Sequence, residues 1–170
     1  MDSTRRIVLG EGEGVVRIDR IQHARQVLAS LLGQAQRRID LLAPRIDAPT
    51  FQQPPVRDAL ARFVTLNPRN SARFLIGEAH SLIGDATQLA ELCRRFPSYL
   101  SARWLDPQEY ALEEMFCVVD ATGFLAQSRL DQSSFVAAGN APPRARELIR
   151  RFDALWERAV AVPGLSAAGL

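Results

Sequence analysis

The chain has 170 residues, enough for one ordinary domain with its own core, and 47% hydrophobic with 24% charged residues is the composition of a water-soluble globular protein. A net charge of +2 argues against the strongly basic class, and no apolar run approaches the length of a bilayer span. The first fourteen residues hold no apolar segment of the signal-peptide kind, so a cytoplasmic location is the expectation.

Taken in order, Arg5 to Leu9 reads as a short edge strand, Gly10 to Gly14 as a turn, and Val15 to Ile18 as a continuation of the edge. The Gly-x-Gly-x-Gly run lacks the strand, helix and Gly-Lys-Ser/Thr ending of a phosphate loop. Asp19 and Gln22 have capping-box spacing, and Ile21, Ala24, Leu28, Leu31, Leu32 and Ala35 repeat at helical intervals, which predicts a helix over 19–37. Ile39, Leu41 and Leu42 form a buried strand ending at Pro44, and Arg45 to Gln53 is a loop. Pro54-Pro55 opens a helix striped by Val56, Leu60, Phe63 and Val64. Phe74 to Ile76 is the next strand, closed by Gly77, and a loop from Glu78 to Gly84 holds His80. Asp85 and Gln88 repeat the capping spacing ahead of Leu89, Leu92, Cys93 and Phe96, a helix ended by Pro97. Leu100 to Leu105 is a third strand.

Phe116 to Val119 and Phe124 to Ala126 read as a hairpin, with Asp120, Thr122 and Gly123 as its turn. Pro142-Pro143 opens a last helix, in which Ala145, Leu148, Ile149, Phe152, Leu155, Trp156 and Ala159 recur at helical spacing. The order predicts an α/β domain over 19–160, mostly parallel, with an antiparallel hairpin and helices on both faces. Residues 1–18 form its N-terminal edge and 161–170 a flexible tail. Cys93 and Cys117 sit in apolar segments without ligand spacing and read as reduced core residues.

The order of elements, the strand Arg37 to Leu41 (Arg-Arg-Ile-Asp-Leu), the strand Ala72 to Gly77 and the hairpin that follows the third strand resemble one half of the phospholipase D superfamily. That resemblance implies the family's fold. Its signature, His-x-Lys-x-x-x-x-Asp, six residues, then Gly-Ser-x-Asn, falls on Glu113 for the histidine, Met115 for the lysine and Asp120 for the aspartate. The glycine falls on Gln127, the serine on Ser128 and the asparagine on Leu130. Two of those six positions, Asp120 and Ser128, keep the family's residue, and the nucleophile is not among them. A carboxylate at 113 is repelled by a phosphodiester, and Met115 supplies no compensating charge. The expectation is a non-catalytic, degenerate phospholipase D-like domain that binds a protein partner or a phosphate-bearing ligand, with no cofactor, no metal and no membrane association.

Other residues offer competing chemistry. His80, near Glu78 and Asp85, lies after a parallel strand, where such sheets bind ligands. With Glu113 and Asp120 it would make an enzyme of altered chemistry; a plain loop histidine is the simpler reading. His23 follows Asp19 by four residues on a helix, and a surface histidine is its plain reading. Asp106, Glu109, Glu113, Glu114 and Asp120 form an acidic stretch without metal-ligand spacing. The chain has no lysine, so every side-chain cation other than histidine is arginine; coding bias is the reading adopted. Arg73, Arg103 and Arg129 are candidate ligand-binding residues, the first two pointing into the cleft. An arginine-based nucleic-acid surface is the remaining alternative. A homodimer through the 113–129 hairpin is expected if the resembled family's pairing surface persists.

Overall fold

The structure is a computed structural model that describes residues 6–85 and 87–165. One sheet organises it, with strands in the order β1-β7-β6-β5-β2-β3-β4-β8. The strands are β1 (Val16–Ile18), β2 (Arg38–Ala43), β3 (Ser71–Ile76), β4 (Leu100–Trp104), β5 (Met115–Val119), β6 (Gly123–Gln127), β7 (Phe135–Ala138) and β8 (Val160–Ala161). The helices are α1 (Ile21–Gln34), α2 (Ala48–Phe51), α3 (Pro54–Leu66), α4 (Thr87–Arg95) and α5 (Pro142–Arg158). Strands β2, β3 and β4 run parallel, as helical crossovers require. From β5 the chain turns back antiparallel to β2, then forms a meander through β6 and β7 that β1 extends.

The expected α/β architecture is therefore present, with helices on both faces. Its antiparallel part is larger than one hairpin, because the short runs at 135–138 and 160–161 also pair. Alternation along the strands sorts the core. Ile39, Leu41, Phe74, Cys117 and Leu125 pack with α1, α3 and α4 on one face. Leu42, Leu75, Phe116, Val118 and Phe124 meet α5 on the other. Phe152 of α5 makes an edge contact with Phe116 at 6.4 Å and stacks on Trp156 at 5.6 Å.

Several local expectations are corrected. Arg6 to Leu9 is not a strand: the Gln34 side chain takes its backbone groups, accepting from Leu9 N at 2.8 Å and donating to Ile7 O at 3.0 Å. Arg5 lies outside the described residues. Asp19 does not cap α1, because Arg17 Nε binds its carboxylate at 3.0 Å and Arg20 is the N-cap. The expected loop 45–53 contains α2, capped by Asp47, whose Oδ2 accepts from Thr50 N at 3.0 Å and from Thr50 Oγ1 at 2.7 Å. The loop after β3 contains a π-helical turn, Ser81–Asp85, and the capping role expected of the Asp85 side chain lies outside what is described. The tail does not begin at 161, since β8 pairs with β4, Val162 is buried, and Arg94 Nε donates to Gly164 O. Residues 166–170 lie outside the described set. Both cysteines are free and buried, and burial pushes the Cys93 thiol up to about 12 and raises that of Cys117 as well.

One polar group in the core demands explanation. Asp40, in the middle of β2, has 0% exposure. Arg38 Nε meets one carboxylate oxygen at 2.6 Å and Arg73 Nε the other at 2.8 Å. Arg73 also reaches Asp153 of α5 at 2.6 Å and lies over the Phe152 ring at 4.7 Å. Burial works to lower the Arg73 pKa, but its bonds to Asp153 and Asp40 outweigh that and raise it. Arg73→Met keeps the stem and removes the charge, leaving Asp40 with one partner. It should cost about 3 kcal/mol in urea unfolding; a loss of a few tenths would show that Arg38 alone satisfies Asp40.

Candidate functional site

The carboxyl end of β2 and the adjoining ends of the antiparallel strands meet at one edge of the sheet. Ala43 and Pro44, Met115 at the start of β5, Leu125 and Gln127 of β6, and Phe135 at the start of β7 come together there. The first turns of α1 and the short α2 close over them, with Ile21, Ala24, Leu28 and Phe51. The result is a cleft of about 240 Å³ with a predominantly apolar lining. Leu125 and Phe135 are buried and form its floor, whereas Ile21 (40% exposed) and Leu130 (44% exposed) stand at its mouth.

The signature-equivalent residues divide between this cleft and the rest of the molecule. Met115 and Leu130, where the resembled family has lysine and asparagine, line the cleft. Glu113 is exposed beside it, in a second hollow of about 300 Å³ that also includes Arg129, Leu130 and Asp131. The backbone carbonyl of Glu113 accepts from Leu130 N at 3.1 Å, which holds the two segments together. Gln127 lines the cleft and donates from its amide to Gln132 O at 2.7 Å. Ser128 is exposed.

Asp120 is elsewhere. It follows β5 while Glu113 precedes it, so the two are separated by roughly 20 Å along the strand direction. Its carboxylate accepts from the backbone N–H groups of Gln36 (3.0 Å), Arg37 (2.8 Å) and Arg38 (2.9 Å). Asp120 and Ala121 both have φ of 53°, the left-handed conformation that closes the hairpin with a bond from Thr122 N to Val119 O. The surviving aspartate thus fastens the hairpin to the junction of α1 and β2.

The other candidates are dispersed. His80 is 80% exposed and its Nε2 is 3.6 Å from Glu78. Arg73 and Arg103 do not point into the cleft. Both lie under α5 on the opposite face, Arg73 in the Asp40–Asp153 pairs and Arg103 donating to Trp156 O at 2.9 Å while stacking on that ring. Arg129 is held by Asp131 at 3.0 and 3.2 Å. Glu113, Asp120 and His80 are not brought together, and among the described residues no three His, Cys, Asp or Glu gather as metal ligands. No helix among the described residues is long and apolar enough to cross a membrane.

Sequence reasoning missed part of the wall. Arg25 donates from Nε to Thr50 Oγ1 at 3.1 Å and lies 3.8 Å from Asp47, forming a polar rim on one side. The signal for it was present in Asp47-Ala-Pro-Thr, an N-cap followed by proline in the first helical turn. Phe135 was readable from the short apolar run 135–138.

The family described as "Domain of unknown function (DUF7931)" matches residues 20–167. A search of curated proteins finds no match. Among solved structures, the chain is similar to TrmBL2, an archaeal chromatin protein described as showing a novel mode of DNA binding. The TM-score is 0.65 at 16% identity, over 89% of this chain and 55% of that one. This chain therefore spans about half the length of TrmBL2. It is also similar to Nuc of Salmonella typhimurium, a phospholipase D family member, with a TM-score of 0.62 and 16% identity over 87% and 97% of the two chains. NucT from Helicobacter pylori gives 0.59 at 7% identity, over 87% and 98%. At these identities the likeness establishes the phospholipase D-like fold.

Two predictions follow from the side chains near the hairpin. Asp120→Ala should cost about 2–3 kcal/mol in chemical unfolding, since charge-assisted bonds to backbone N–H groups are lost. A loss under about 0.5 kcal/mol, the scatter of an ordinary surface change, would contradict the fastening role. Glu114, paired with Arg151 at 2.7 Å, has its pKa raised above 4.5 because burial disfavours its charge, partly offset by Arg151 and Arg144. The folded state then holds that proton more tightly than the unfolded chain. Its contribution is therefore greatest below pH 4.5 and diminishes as pH rises through the raised value. Glu114→Gln should flatten that segment of a plot of unfolding midpoint against pH; an unchanged slope would count against it.

Proposed function

This chain belongs to the DUF7931 family, and we propose that it is a non-catalytic phospholipase D-like domain whose former phosphodiester cleft serves as a binding pocket for an apolar group. The observation that carries this reading is the paired replacement at the cleft. Where the resembled phospholipase D superfamily has a phosphate-binding lysine and an asparagine, Met115 and Leu130 line an apolar pocket. An anion placed against a thioether and an isobutyl group loses hydration there and gains no donor from either side chain. An apolar group placed there gains the area it removes from water.

The rival readings have less support. A re-purposed enzyme would need Glu113, Asp120 and His80 in one place, and Asp120 is committed to three backbone N–H groups at the far end of β5. Nucleic-acid binding has one observation in its favour, the likeness to TrmBL2. Exposed Arg37, Arg69, Arg146 and Arg150 would be the side chains to carry it. Binding of an oligonucleotide that weakens steeply with added salt would favour that reading.

The test has two arms. Purified protein should show no turnover of bis(4-nitrophenyl) phosphate above the buffer rate. It should enhance the fluorescence of 8-anilinonaphthalene-1-sulfonate in its folded state, and Met115→Trp, which fills the cleft, should abolish the enhancement at an unchanged unfolding midpoint. Leu130→Asp, at an exposed position, provides a second variant should Met115→Trp fail to fold. Turnover that Glu113→Ala removes would overturn the non-catalytic reading, and dye binding indifferent to both cleft substitutions would overturn the pocket.

A further inference from the structure

The cleft is walled by Leu130, and the same residue borders the second hollow that contains Glu113, Arg129 and Asp131. The two spaces are thus adjacent compartments of one groove, the first apolar and the second charged. Their sizes constrain the occupant. An apolar cavity of about 150 Å³ holds a benzene molecule; this cleft, at about 240 Å³, has room for one large side chain such as an indole.

The charges around the mouth are mostly neutralised from within. Arg25 is engaged by Thr50 and Asp47. Arg129 is held by both oxygens of Asp131. Arg45 has its own interaction. Glu113 is different: among the described residues its carboxylate has no side-chain or backbone partner, although it lines the hollow that shares Leu130 with the apolar cleft. A segment that places an apolar anchor in the cleft therefore meets an unpaired negative charge next to it.

Resting on the reading of the cleft as an apolar pocket, we propose that its ligand is a peptide segment of a partner protein, with a large apolar or aromatic anchor beside a basic residue that pairs with Glu113. Anchors of that kind dominate protein recognition because they fill a desolvated pocket, and the charge at the rim selects among them. The position that the resembled family uses for its nucleophile becomes a selectivity residue in this arrangement.

The experiment compares defined probes on the full chain by NMR titration and calorimetry. N-acetyl-tryptophanamide tests the cleft alone. Ac-Gly-Trp-Arg-Gly-NH2, Ac-Gly-Arg-Trp-Gly-NH2 and their glutamate counterparts test the charge, in both chain directions. One of the arginine peptides should bind about three-fold tighter than its glutamate counterpart, the size of an exposed ion pair. Glu113→Gln should erase that preference while leaving N-acetyl-tryptophanamide binding unchanged. If N-acetyl-tryptophanamide does not bind, or binds equally to Met115→Trp, the underlying pocket reading fails. If it binds but arginine and glutamate peptides are equal, or Glu113→Gln keeps the preference, the peptide proposal alone is overturned. Decanoate binding tighter than every peptide would likewise overturn it and assign the cleft to a small amphiphile. A second copy of this chain as occupant would appear as concentration-dependent dimerisation that the peptides do not displace, which also overturns it.

Discussion

Three backbone N–H groups at the start of β2 converge on one carboxylate, that of Asp120. The hairpin apex, the end of α1 and the first residue of the central strand are joined at that point. The arrangement asks for a left-handed backbone at Asp120 and Ala121, which aspartate tolerates better than most residues and alanine tolerates poorly. It also explains why helix α1 stops at Gln34: the N–H groups that follow turn toward Asp120. With the hairpin fixed at its closed end, its open end delivers Met115 and Gln127 to the cleft. The same interaction that secures the fold holds Asp120 at the opposite end of β5 from Glu113.

The second constraint is the buried charge of Asp40. It divides the arginines of the chain into structural and available ones. Arg38 and Arg73 neutralise Asp40, and Asp153 ties the group to α5. Arg103 serves the same face through Trp156. A lysine-free chain has reason to use guanidinium here, since a planar fork bonds two carboxylates and still packs flat on aromatic rings. The polar network and the cleft lie on opposite faces of the sheet, so Arg38, Arg73 and Arg103 bring no charge to the cleft.

Periodicity made the long elements legible. Helices α1, α3 and α5 and strands β2 and β3 carry runs whose spacing admits one reading, and Pro54-Pro55 and Pro142-Pro143 mark two helix starts. Short elements escaped for a physical reason. Strands β7 and β8, four and two residues long, owe their pairing to neighbours that a local window does not see. Capping failed at Asp19 because Arg17, two residues away, competes for the carboxylate. At the site, position-by-position comparison with a family signature located Glu113, Met115 and Leu130 at the groove. It could not reveal which face Arg73 and Arg103 occupy, since that depends on a buried aspartate one strand away. The role of Asp120 was also hidden, because its partners lie more than 80 positions earlier in the chain.

The chain contains two methionines, Met1 and Met115, and Met115 lines the cleft. Methyl-labelled methionine therefore gives a reporter in the pocket, assigned by the resonance that Met115→Leu removes. The most direct measurement is the response of the Met115 methyl resonance to two ligands, an indole derivative and a dinucleotide phosphodiester. The proposed apolar cleft predicts a saturable shift with the indole and none with the phosphodiester. A saturable shift of Met115 with the phosphodiester, or none with any apolar ligand, would contradict it.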